Sequence, residues 1–244
     1  MTSRFIVIVI ACAATACAGR ASEDMSVAEH VASAGAEERA ADEHDSERAT
    51  GVGPNACGVP VSQAVLGIPC WSDGAPPTEG HLAAAAEHRR VAAAHRASAA
   101  SLRDAESEAC VGLSEDDRDT SPFEHTADVT NVVALTGFAS TDETDSAPVL
   151  GATVTLRAVR GLSAAWLDRV LACHLARNAA LGHEVPEMPT CPLVPRGVSA
   201  VVRATRAGFE VDVRADTAEG AAEVLRRARL LLPSAQRVAT LDPP

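Results

Sequence analysis

Lysine and tyrosine are absent from the 244 residues, and phenylalanine and tryptophan occur only four times and twice. Arginine therefore supplies every fixed positive charge, and alanine is the commonest residue, a bias that reads as genome composition rather than mechanism. No basic stripe interleaved with aromatics is visible and the formal net charge is −12, which argues against nucleic acid as a partner. No CxxC pair occurs, so a thioredoxin-like redox centre or a zinc ribbon is not expected. A GxSxG elbow, an HExxH helix and a phosphate loop are missing too. A non-enzymatic protein is the expectation, and a hydrolase is the least supported reading.

The N-terminus, MTSRFIVIVIACAATACAGR, places Arg4 before an apolar run, Phe5 to Ala11, that is too short to cross a bilayer. Ala14-Thr15-Ala16-Cys17 resembles the lipobox of bacterial lipoproteins, although position 14 is usually Leu in that class; Val9-Ile10-Ala11-Cys12 is the alternative match, with a very short apolar run before it. The resemblance implies a signal peptide over 1–16 and a lipidated, palmitate-bearing Cys17 as the first mature residue. Loss of the signal removes Arg4 and takes the charge from −12 to −13. Ala18, where inner-membrane lipoproteins carry Asp, implies the outer membrane, with the body facing the periplasm.

Residues 17–56 hold few large apolar side chains and many Ala, Glu, Asp, Ser and Gly, so they are expected to form a disordered acidic tether. Residues 57–77, with Cys57, Cys70 and several Pro and Gly, read as an irregular loop. Five cysteines lie outside the signal and anchor: Cys57, Cys70, Cys110, Cys173 and Cys191. In an oxidising compartment they suggest two disulfides and a spare thiol. Cys173 to Cys191 is the preferred bridge, with the other formed by two of Cys57, Cys70 and Cys110.

Residues 78–128 begin with an alanine-rich stretch free of Gly and Pro from Leu82 to Ala109, which predicts a long helix capped by Thr78 and ended near Gly112. His81, His88 and His95 recur every seven residues and share one stripe. Ligands seven apart lie about 10 Å apart along a helix, so these histidines cannot share an ion without groups from another segment or another chain. The stripe is read as a half-exposed seam against a neighbouring element. The alternative is a divalent transition-metal site built from His81, His88, His95 and His125. In LSEDDRDTSPFEH, Ser114 with Asp117 and Ser121 with Glu124 have capping-box spacing. A hard-cation site from Asp117, Asp119, Glu124, His125 and Asp128 is the weaker alternative.

Residues 129–244 show the clearest fold signal. Strands are expected at 151–158, 198–205, 209–215 and 236–241, and helices begin after Ser163 and Thr217. The order strand, helix, strand, strand, helix, strand resembles a ferredoxin-like βαββαβ sandwich, with 129–138 as an added edge strand. The fold class is therefore α+β. His174 and Asn178 fall on the inner stripe of the first of these helices, which makes His174 a buried, hydrogen-bonded histidine. Its alternative role is to open onto a small-ligand cleft with His183 and Glu184.

The alanine-rich helix with its histidines, DRDTSPFEH at 117–125, CHLARNAALGH at 173–183 and CPLVPRG at 191–197 resemble uncharacterised lipoproteins of deltaproteobacteria, myxobacteria in particular. That resemblance implies a lipid-anchored envelope protein and says nothing about activity. The expected function is an interaction or structural module, in which a protein partner or a second copy docks on the 81–109 helix and no cofactor is required.

Overall fold

The computed structural model describes residues 24–50, 77–137 and 147–233. The signal, Cys17, Cys57, Cys70 and the strand expected at 236–241 lie outside them. No described helix is long and apolar enough to cross a membrane.

The segment read as a tether folds instead as a helix, α1 (Val27–Thr50), which lies antiparallel along α2 (Pro77–Ala109). Its start carries a reciprocal cap: the Ser26 amide donates to Glu29 Oε2 at 2.6 Å and the Glu29 amide to Ser26 Oγ at 3.1 Å. Large apolar residues are unnecessary because alanine does the packing. Ala34 and Ala41 on α1, and Ala85, Ala92 and Ala99 on α2, are each 3% exposed or less and repeat every seven residues. Small side chains let the two axes come close, and alanine loses no rotamer freedom when fixed. Five buried methyls stabilise the pair by only about 4 kcal/mol, so the hairpin belongs to the weakly held end of the structure. The seam foreseen on α2 exists, and α1 packs against it from within the chain.

After α2 come a short helix, α3 (Glu115–Asp119), and two 3-10 turns, Pro122–Glu124 and Thr126–Asp128. Both serines act as caps: Ser114 Oγ accepts from the Asp117 amide at 3.2 Å, as foreseen, whereas Ser121 Oγ accepts from the Phe123 amide at 3.4 Å and the Glu124 amide bonds the Ser121 carbonyl instead.

The remainder is a four-stranded antiparallel sheet with two helices on one face. Its strands are β1 (Val129–Thr136), β2 (Val149–Arg157), β3 (Val198–Ala204) and β4 (Gly208–Ala215), in the order β1-β2-β4-β3. α4 (Ala164–Ala180) packs on β3, and α5 (Ala218–Leu230) on β2 and β4. Alternation drives the burial: Ala152, Val154 and Leu156 of β2 and Phe209, Val211 and Val213 of β4 meet Leu167, Leu171 and Val224 in one core. Ser163 and Thr217 cap the helices through the amides of Trp166 at 3.2 Å and Gly220 at 3.0 Å. The protein is α+β. β1 pairs antiparallel along the side of β2 away from β4. Gly151 is required in β2, because a Cβ there would lie 2.0 Å from the Val213 carbonyl oxygen of β4.

The preferred bridge is corrected. Cys173 bonds Cys110, just beyond the end of α2, and fixes the base of the hairpin to α4. Cys173 lies on the α4 face turned toward α2, whereas Cys191 is a free, buried thiol with its Sγ 3.4 Å from Ser121 Oγ, so the two cysteines have different surroundings. The bridge spans 63 residues of sequence and should add roughly 4 kcal/mol by restricting the unfolded chain.

Candidate metal centre

Seven-residue spacing on both helices makes the polar groups of the hairpin meet as rungs. His30, Glu37 and His44 advance along α1 while His95, His88 and His81 retreat along α2. His30 and His95 approach with Nδ1 atoms 2.9 Å apart, and His88 Nδ1 lies 2.6 Å from Glu37 Oε2. His44 and His81 approach with Nδ1 atoms 3.2 Å apart. The His44 ring also stacks on His88, with centroids 5.4 Å apart and planes 20° from parallel. Outside the rungs, Arg89 pairs with Asp45 and Arg96 with Glu38. These exposed pairs contribute little energy but favour one alignment of the helices.

The His44–His81 rung differs from the others because Glu47 joins it. Glu47 Oε2 lies 3.4 Å from His44 Nδ1 and 3.1 Å from His81 Nδ1. Two imidazole nitrogens and one carboxylate oxygen thus form a nearly equilateral triangle with edges of 3.1, 3.2 and 3.4 Å. Ligands held at the usual 2.0–2.1 Å of a tetrahedral ion are separated by roughly 3.3 Å. The triangle therefore matches one face of a zinc-sized coordination shell before any ion enters. His44 and Glu47 come from one helix at i,i+3, and His81 comes from the other. The three side chains are 31%, 45% and 22% exposed, which leaves further coordination positions open to water.

The four histidines expected to act together do not. His81 joins the triad, His88 is held by Glu37, His95 faces His30, and His125 is exposed beside a different cavity. Seven-residue spacing keeps the first three about two turns, or about 10 Å of rise, apart, so each finds its own partner on α1. His44 and Glu47 were missed as candidate ligands because their segment was read as a tether. The i,i+3 His-Glu pair within a run of helix formers was the available signal.

The acidic run also divides. Asp117, His125 and Asp128 line one cavity, whereas Asp119 pairs with Arg177 at 2.8 Å and Glu124 is exposed outside that lining. Among the described residues, His44, Glu47 and His81 are the group whose ligand atoms gather closely enough for one ion.

His174 is buried, as expected. Its Nε2–H is directed at the carbonyls of Thr120, 3.1 Å away, and Asp117, 3.3 Å away, and so ties the end of α3 to α4. Its Nδ1 is buried with no hydrogen-bond partner. Burial lowers the imidazole pKa and keeps it neutral, against the opposing pull of the two carbonyls. Asn178 Nδ2 donates to the Leu193 carbonyl at 3.0 Å, and His183 Nδ1–H reaches the Val194 carbonyl at 2.9 Å. These residues brace the 183–196 loop.

The chain matches no protein-family model, no curated protein and no solved structure.

Proposed function

We propose that the protein is a lipid-anchored envelope protein whose helical hairpin binds one divalent first-row transition ion through His44, Glu47 and His81. The observation that carries this reading is the triangle of ligand atoms, whose edges match the ligand separations of a tetrahedral ion. Two imidazoles and a carboxylate suit zinc, copper and nickel better than calcium or magnesium. The reading is confined to binding an ion: among the described residues, none of the three lines either of the two cavities described.

The resemblance at Cys17 supports an anchored position, and the Cys110–Cys173 bridge suits an oxidising envelope. Two helices on one face of the sheet support reading the body as a variant ferredoxin-like sandwich whose outer strand comes from the N-terminal side.

Native mass spectrometry and calorimetry of the purified chain with zinc, copper and nickel test the proposal. One retained ion per chain, lost in His44→Ala and in His81→Ala, is expected. Failure to bind any of the three at micromolar concentration, or binding unchanged in both variants, would refute it. Incorporation of labelled palmitate, abolished by Cys17→Ser, tests the anchor separately.

A further inference from the structure

A cavity of about 520 Å³ opens between the acidic turns after α2 and the first half of α4. Leu156, Leu167, Val170 and the indole of Trp166 form its apolar surface, while Asp116, Asp117 and Asp128 stand among its lining residues, which include no arginine. We propose that this cavity binds a small organic cation with an apolar body, of the arylalkylamine or guanidine class.

The size falls within the usual range for small-ligand sites, which combine apolar walls with a few placed polar groups. A metal ion is the wrong occupant, since the oxygens of these carboxylates do not gather closely enough to share one. Anions are opposed by charge. Arg157 reaches Asp128 at 2.6 Å from outside the lining and offsets one carboxylate, and the Ser114 hydroxyl donates to Asp117 at 2.7 Å. The rim therefore remains net negative. An ammonium or guanidinium can stay partly hydrated there, beside Asp116 and Asp117, while its hydrocarbon covers Trp166 and Leu156.

This site is independent of the metal triad, and the test is arranged to keep them apart. The purified chain is titrated calorimetrically, in EDTA, with phenylalkylamines of increasing chain length and with the matching alcohols and carboxylates. Saturable one-to-one binding of an amine, about tenfold or more tighter than its alcohol, is expected, with the carboxylate weakest. Asp116→Asn, at an exposed helix position, should bring the amine's affinity toward that of the alcohol, and Trp166→Ala should weaken both. No saturable amine binding anywhere in the series, or equal affinity for amine and alcohol, would overturn the proposal. Melting curves of both variants show whether a loss of binding is local.

Discussion

His44 and His81 lie 37 residues apart in sequence, yet their Nδ1 atoms are 3.2 Å apart across the hairpin and both contact the same Glu47 oxygen. An ion bound there joins α1 to α2 near the end farthest from the disulfide. Zinc at a hundred times its dissociation constant should raise stability by about 2.7 kcal/mol, read as a higher melting temperature. His81→Ala should abolish the increase. His88→Ala should retain it, because His88 is held by Glu37 rather than by the triad.

Removing the bridge tests how the hairpin is held. Cys110→Ser with Cys173→Ser should lower unfolding stability by roughly 4 kcal/mol in a urea titration. Hydrogen exchange should show α2 loosening before the sheet.

Protonation of His174 sets an acid limit. Its folded pKa is lowered by burial, so above the ordinary value near 6.5 both folded and unfolded states are neutral there and it contributes no pH dependence. As pH falls below that value, the unfolded chain takes up a proton that the folded protein resists. Stability should then fall, by at most about 1.4 kcal/mol per pH unit from this group. His174→Gln removes that part of the slope, and the difference between the two melting-versus-pH curves measures it.

Two glycines should respond oppositely to alanine. Gly35 lies within α1 with Arg39 as the nearest neighbour of an added Cβ, at 3.5 Å, so Gly35→Ala should stabilise the helix by up to about 1 kcal/mol. Gly182 has φ 68°, and a Cβ there would come within 2.9 Å of the Ser26 amide nitrogen. Gly182→Ala should therefore lower the melting temperature and weaken exchange protection at the start of α1.

Cys191 should resist alkylation until the protein unfolds. Burial raises its pKa and so removes the reactive thiolate. Peptide mapping after native and denaturing iodoacetamide treatment gives the comparison.

The sheet was legible because alternation in 149–157 and 208–215 has one physical meaning, and Ser163 and Thr217 announce their helices by capping chemistry. The long helix and its histidine stripe were legible for the same kind of reason. α1 was not, because the usual measure of foldability counts large apolar side chains, and Ala34 and Ala41 pack through closeness rather than bulk. Once that segment was assigned to a tether, His30, Glu37, His44 and Glu47 had no geometry. The Cys110–Cys173 bridge was hidden for a related reason: it depends on how α2 lies against α4, which local spacing does not encode.

The seven-residue ladder also carries a hazard of miscounting. Sliding α1 along α2 by one heptad would again set Glu37 and His44 opposite histidines and would set Asp45 and Glu38 opposite Arg96 and Arg103, but it would leave His30 facing Leu102. The wrong alignment is a near-copy of the right one, poorer by one rung. Closure at Cys110 and the seating of Ser26 against Gly182 act at the shared base of the hairpin, where one misplaced heptad would displace the chain by about 10 Å. Those two attachments let the helices tell which tooth of the zipper comes first.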